Sequence, residues 1–262
     1  MANIPAFRTK AYEPCFTYTG VDYFGPLNVR RGRSVVKRWG AIFICLNSRA
    51  VHLEVATSLE TNCFINVYRR FINRRGLPKC IYSDNGSNFV GAEREITTAI
   101  EEWNQRQIQD ELLQKGCQWV LQPPRASHAS GVWERLIRGT RTALKAILGN
   151  DLLDEEVLTT VFTEVESILN SRPVSPASDD PNDCEPLIPS HLLLQRPVHT
   201  LPPGSFVKED IFVRKKRRQT QILADHFLEE MVKKVCSSLA GETEMAQTPP
   251  KRRSWRSCDS CG

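Results

Sequence analysis

The sequence predicts a mixed α/β domain built on a five-stranded sheet that begins antiparallel and is flanked by helices. Three observations carry that expectation. Runs rich in aromatic and β-branched residues come first, at 18–24, 39–46 and 51–55. Helical periodicity and short strand-like runs then alternate from residue 57 onward. The apolar share, 40% of 262 residues with only 14 glycines, suits an ordinary packed core.

Tyr18 to Phe24 (YTGVDYF) reads as a strand, and Gly25-Pro26 is expected to end it. Trp39 to Leu46 is almost wholly apolar, as a strand covered on both faces should be. Asn47-Ser48 then turns the chain into Val51 to Val55, where Val51, Leu53 and Val55 alternate with His52 and Glu54, giving an antiparallel hairpin. Thr57-Ser58-Leu59-Glu60 matches a capping box, and Phe64, Val67, Tyr68, Phe71 and Ile72 recur at helical spacing until Gly76 and Pro78. The opposite face of this helix carries Arg69, Arg70 and Arg74, which read either as a solvated surface or as a DNA contact. Cys80 to Ser83 is a short strand, Glu93 to Lys115 a polar helix closed by Gly116, and Gln118 to Leu121 another strand. Pro123-Pro124 forces a loop, Gly131 opens an amphipathic helix with Val132, Leu136, Leu144 and Ile147 on its apolar side, and a last core helix spans Glu155 to Leu169. This order fits a ribonuclease-H-like core.

Half of the 16 prolines fall between Pro173 and Pro203, which divides the chain into an N-terminal extension (1–11), a core (12–172), a Pro-rich linker (173–206) and a basic, partly disordered C-terminal tail (207–262). Phe16 to Cys80 holds eleven Lys and Arg against three Asp and Glu, so the first half is the candidate nucleic-acid face. Asp151 to Glu185 is the reverse, with ten acids and Arg172 alone. No apolar run approaches the roughly 20 residues that cross a bilayer, and residues 1–10 lack the apolar centre of a secretory signal. The nine cysteines are therefore expected to be reduced. Cys258 and Cys261 form one CxxC without the second ligand pair of a structural zinc site. Arg214 to Arg218 (RKKRR) reads as a nuclear-import or phosphate-binding patch, or as an exposed helix start.

An aspartate in the middle of an apolar strand calls for a partner, because burying a lone carboxylate is costly unless it is paired or bound to metal. Asp22 is that residue, and Asp84 follows the strand Cys80 to Ser83, where a turn can aim a carboxylate out of the sheet. Glu134 lies in the first turn after Gly131. Each has an ordinary structural explanation by itself: rim acid, Asp-Asn-Gly turn, and helix-dipole partner. As a set they supply the hard oxygens that two divalent cations need. Their spacings are 84 − 22 = 62 and 134 − 84 = 50 positions.

The stretches TYTGVDYFGPL, SRAVHLEVATSLET, FINRRGLPKCIYSDNGSNFVGA and GVWERLIR, followed by ESILNSRPVSP, resemble the integrase core of BEL/Pao-type retrotransposons, relatives of retroviral integrases, over about residues 12 to 206. The resemblance implies that Asp22, Asp84 and Glu134 are catalytic ligands for two Mg²⁺ or Mn²⁺ ions. It also implies 3′-end processing and strand transfer on DNA, assembly as a homo-oligomer on DNA, and action in the nucleus after a cytoplasmic stage. No membrane association is expected. The longer gap before Glu134 falls in the polar helix 93–115, as it does in this subgroup. Two departures stand out. Ser130 replaces a glycine in the loop leading to Glu134, and only about eleven residues precede the core, too few for the zinc-binding module expected upstream. They favour an alternative: a decayed or host-retained derivative that binds DNA or a partner without catalysis.

Glu134, Arg138, Arg141 and Lys145 recur at i, i+4, i+7 and i+11, on one helical stripe. By itself the stripe is equally well a solvated face; beside the three acids it reads as a hold on DNA phosphates. Arg125 and His128, on the loop before Glu134, join it as DNA-binding candidates.

Overall fold

The structure, a computed structural model, describes residues 13–84, 105–114, 116–122, 136–144, 148, 152–174, 186–195 and 220–230. Strands β1 (Tyr18–Arg31), β2 (Ser34–Cys45) and β3 (Val51–Ala56) form an antiparallel meander. Helix α1 (Thr61–Arg75) crosses to β4 (Cys80–Asp84), which lies parallel to β1, and α2 (Gln105–Gln114) leads to β5 (Gln118–Gln122), parallel to β4. Then come α3 (136–144), the two-residue β6 (Leu153–Asp154), α4 (Glu155–Asn170), α5 (Pro189–Leu194) and α6 (220–230). The five expected strands lie in the order β3-β2-β1-β4-β5, and β6 adds a sixth against the outer part of β1. This is a mixed α/β sheet with helices on both faces.

Cross-strand register explains the two cores. Val21↔Phe43 and Tyr23↔Ala41 point to one face, where Phe64, Val67, Tyr68 and Phe71 of α1 and Ile108 and Leu112 of α2 cover them. Asp22↔Ile42 and Phe24↔Gly40 point to the other, covered by Ile137 and Leu144 of α3 and by Val157, Val161 and Val165 of α4. The helical spacing of the α1 apolar residues thus becomes one buried stripe, and Gly76 caps it at φ 90° with its N–H on the Ile72 carbonyl.

Several expectations are corrected. Gly25-Pro26 does not end the first strand. It makes a bulge: pairing resumes at Leu27↔Arg38, one extra residue having been spent on β1, and the strand runs on to Arg31. The capping box is not formed. The N-cap of α1 is Glu60 without a side-chain bond, and the helix starts at Thr61, because the thiol of Cys63 engages Thr57 Oγ1 and Ser58 N, each at 3.4 Å. His52 and Glu54 do not form a wetted side of β3; they are 1% and 5% exposed. The arginine face of α1 is open to solvent at Arg69 and Arg74, as a solvated surface requires, but Arg70 and Arg74 also bind Glu54. Finally, α6 falls in the segment read as a basic tail, yet its Leu223 and Phe227 are buried in the second core. The predicted helix start at 131 and the part of the polar helix at 93–104 lie outside the described residues.

Candidate active site

Pairing between β1 and β4 runs from Tyr18↔Cys80 to Val21↔Ser83. Asp22 and Asp84 each follow that last pair by one residue. Both acids therefore sit at the carboxyl end of the parallel pair, where open α/β sheets present their ligands. On its other side Asp84 pairs with Gln122 of β5.

The Asp22 side chain is only 10% exposed. Its Oδ1 accepts the N–H of Tyr23 at 2.8 Å, and its Oδ2 lies 3.8 Å from Nη1 of Arg141 on α3. Nη2 of the same guanidinium donates to the Tyr23 carbonyl at 2.9 Å. Arg141 is thus drawn onto β1 as a counter-charge to a withdrawn carboxylate. Arg138, one turn earlier, is exposed. The two arginines of the predicted stripe consequently meet different surroundings, one the sheet and one the solvent. The side chain of Asp84, and Arg125, His128, Glu134 and Lys145 altogether, lie outside the described residues. Among the described residues no three His, Cys, Asp or Glu side chains group together as a metal cluster.

A second charged assembly went unseen in the sequence. His52, tilted against the stacked rings of Phe43 and Phe71, has Nε2 3.1 Å from Glu54 and Nδ1 3.0 Å from Glu166 of α4. Arg70 and Arg74 close on Glu54 at 2.7 and 2.9 Å, and Arg75 pairs with Glu166. Arg75 Nε also stands 3.3 Å from Nδ1, but a ring nitrogen that donates to Glu166 cannot accept as well. Burial opposes the imidazolium, yet the bonds to Glu166 and Glu54 outweigh it and hold His52 above its ordinary value. Burial likewise opposes ionisation of the two carboxylates, and the hydrogen bonds to His52, reinforced by the arginines, hold both below theirs. This is an internal ion cluster joining β3, α1 and α4. The available signal was the Arg70, Arg74 spacing on α1 opposite an alternating His-x-Glu strand.

No protein-family model matches this chain, and no curated protein matches it. Among solved structures, the chain is similar to the catalytic core domain of BIV integrase, with a TM-score of 0.43 and 17% identity over 69% of this chain and 95% of that one. It is also similar to the HTLV-2 integrase catalytic core domain in complex with magnesium. The dimeric form gives a TM-score of 0.40 and 16% identity, covering 63% of this chain and 93% of that one. The trimeric form gives 0.39 and 16%, covering 62% and 90%.

Proposed function

We propose that this chain is the catalytic core of a retroelement DNA integrase, of the BEL/Pao type its motifs resemble. One observation supports the reading above the others: the β1–β4 register, whose last pair, Val21↔Ser83, comes one residue before Asp22 and Asp84. A buried strand seldom carries an acid without a ligand or partner, and here two such strands bring one each to the same level.

Asp22, Asp84 and Glu134 would hold divalent metal. The donor set fits, being hard carboxylate oxygen throughout, and the Asp22 side chain stands beside the Arg141 guanidinium at 3.8 Å. When bound, Mg²⁺ or Mn²⁺ supplies Lewis acidity for the attacking hydroxyl and neutralises charge on the phosphoryl oxygens. The protein's share is positioning. Tyr23 N–H orients Asp22, and Arg141 balances its charge while remaining close enough to meet a phosphate. The reaction is a single displacement at phosphorus, in which the new P–O bond forms as the old P–O3′ bond breaks. Water as nucleophile gives 3′-end processing, and a DNA 3′-hydroxyl gives strand transfer. Nuclear action and assembly as a homo-oligomer on DNA belong to the same reading.

The test is Mg²⁺-dependent cleavage of labelled duplex DNA by Asp22→Asn, Asp84→Asn and Glu134→Gln. Each should lose cleavage and Mn²⁺ binding while retaining DNA affinity. Near-normal turnover in any one of them removes that residue from the set. The Arg141 contact favours a second reading, a non-catalytic DNA-binding derivative in which the arginine permanently neutralises Asp22. Salt-sensitive DNA binding without any metal-dependent nicking by the unaltered chain would select it.

A further inference from the structure

We propose that the β1–β2 ribbon beyond the Gly25-Pro26 bulge is a DNA-contacting arm whose tip enters a groove of duplex DNA next to the acidic site. The inference rests on the reading of DNA as substrate and adds a second contact surface to it. The ribbon comprises Leu27 to Arg31 and Ser34 to Arg38, joined by the two-residue turn Gly32-Arg33, where Gly32 has φ 63°. Arg30, Arg31, Arg33 and Lys37 are all exposed. No Asp or Glu occurs between Asp22 and Glu54, so the arm itself carries cations only. Among the described residues two acids flank it, Asp154 beside the tip and Glu155 at the base. Asp154, opposite Arg30 in the β6 register, accepts the Glu155 N–H, and Glu155 is bound to Arg38 at 2.9 Å.

The distribution of these cations favours a groove over a flat backbone contact. Arg30↔Val35 and Asn28↔Lys37 face one side of the ribbon, Arg31↔Ser34 faces the other, and Arg33 stands at the turn. Positive charge therefore surrounds the tip. A groove of duplex DNA has phosphate along both walls, and the major groove, about 12 Å wide, admits a two-stranded ribbon. Val35, 54% exposed amid the cations, supplies an apolar contact that a purely solvated tip has no use for. The ribbon runs on past the carboxyl end of β4, beyond Asp22 and Asp84, with β6 paired to its β1 edge at Val29 and Arg30. Arg31 is 31 − 22 = 9 residues past Asp22, at most about 30 Å at roughly 3.3 Å per residue, or some nine base pairs of duplex.

The experiment measures duplex affinity of the full chain across a salt series for the unaltered protein, for Arg30→Gln/Arg31→Gln/Arg33→Gln/Lys37→Gln, and for the charge-keeping Arg30→Lys/Arg31→Lys/Arg33→Lys. Each phosphate contact contributes about 0.9 to the slope of log K against log salt. The Gln set should lower the slope by about 3.6, so that going from 200 to 50 mM salt tightens binding about 150-fold less than in the unaltered chain. The Lys set should keep the slope, and all three proteins should unfold at the same denaturant midpoint. An unchanged slope in the Gln set, or an equal loss on single-stranded DNA of the same length, overturns the arm while the catalytic reading stands. Absence of salt-sensitive duplex binding by the unaltered chain overturns both, and does so before any variant is compared.

Discussion

Replacing Asn170 with alanine should cost far more than its lost volume, because its amide closes the exposed edge of the sheet. β3 is an edge strand, and its outward N–H and C=O groups need partners other than a strand. Asn170, 3% exposed at the end of α4, accepts the Val51 N–H at 2.7 Å and donates to the Val51 carbonyl at 2.8 Å. Val51 is itself fully buried. Truncation strands both backbone groups, at about 1 to 3 kcal/mol each, so Asn170→Ala should lose about 2 to 6 kcal/mol. For a chain of this size that is a fall in Tm of about 5 to 15 °C. Asn170→Asp separates hydrogen bonding from packing. Its protonated acid can still accept from N–H and donate to C=O, whereas its carboxylate faces the carbonyl oxygen. That variant's folded pKa is raised, so its penalty is absent below the unfolded value near 4 and grows as pH rises through the folded one. Denaturant unfolding of the three proteins between pH 4 and 8 measures this. A loss under about 0.5 kcal/mol for Asn170→Ala, or a pH-independent Asn170→Asp, would refute the edge-closing role.

The His52 cluster makes stability depend on pH from two sides. His52 is held above its ordinary value, so its contribution is full below about 6.5 and is lost as pH rises through the folded value. Glu54 and Glu166 are held below theirs, so their contribution is present above about 4.5 and fades as pH falls. Thermal unfolding should thus peak between about pH 5 and 6.5, and His52→Gln should flatten the alkaline limb; parallel curves would count against the cluster. Gly40→Ala should destabilise by about 1 to 3 kcal/mol through overpacking, since an added Cβ would stand 2.1 Å from the Phe24 ring. Phe24→Leu in the same chain should recover part of it, and a neutral Gly40→Ala would mean that the ring moves freely. Phe227→Ala should cost about 3 to 5 kcal/mol if α6 belongs to the core, and an unaltered unfolding midpoint would return residues 220–230 to the status of a tail.

Local pattern was enough for those parts of the fold whose cause is local. The apolar spacing of Phe64, Val67, Tyr68 and Phe71 required a helix with one buried stripe, and the run Trp39 to Leu46 required a strand covered twice. Asp22 stood out because a carboxylate in such a strand has an energetic cost to explain. What escaped the sequence depends on partners far away in the chain. Gly25-Pro26 is ordinary strand-ending chemistry, and only the pairing of Phe24 with Gly40, whose missing side chain receives the ring, lets β1 continue past it. His52 and Glu54 alternate as a wetted face should, until three arginines from α1 and Glu166 from α4 neutralise them. Asn170 and Glu166 lie in the stretch ESILNSRPVSP, yet nothing local says that they bind the backbone of Val51 and Leu53 more than a hundred residues earlier.

The bulge also bears on why the acidic site is where it is. Before it, even-numbered residues of β1, Asp22 and Phe24, face the α4 side; after it, odd-numbered ones do, Leu27 and Val29. Without the extra residue Val29 would turn to the α1 side, and the contact of β6 with Val29 and Arg30 would lose its core anchor. Pairing with β4 stops at Val21 and pairing with β6 starts at Val29, so among the described residues the stretch between them has no strand neighbour on that edge. Asp22 is the first residue of the gap, and the Tyr23 carbonyl, the next backbone acceptor, is taken by Arg141. An unzipped strand edge with a carboxylate at its mouth and an arginine reaching in is a place where backbone and side-chain polar groups converge without ladder partners. The same extra residue that opens this gap carries β1 outward as the cationic ribbon, so one local irregularity links the acidic site to the surface proposed to hold its DNA.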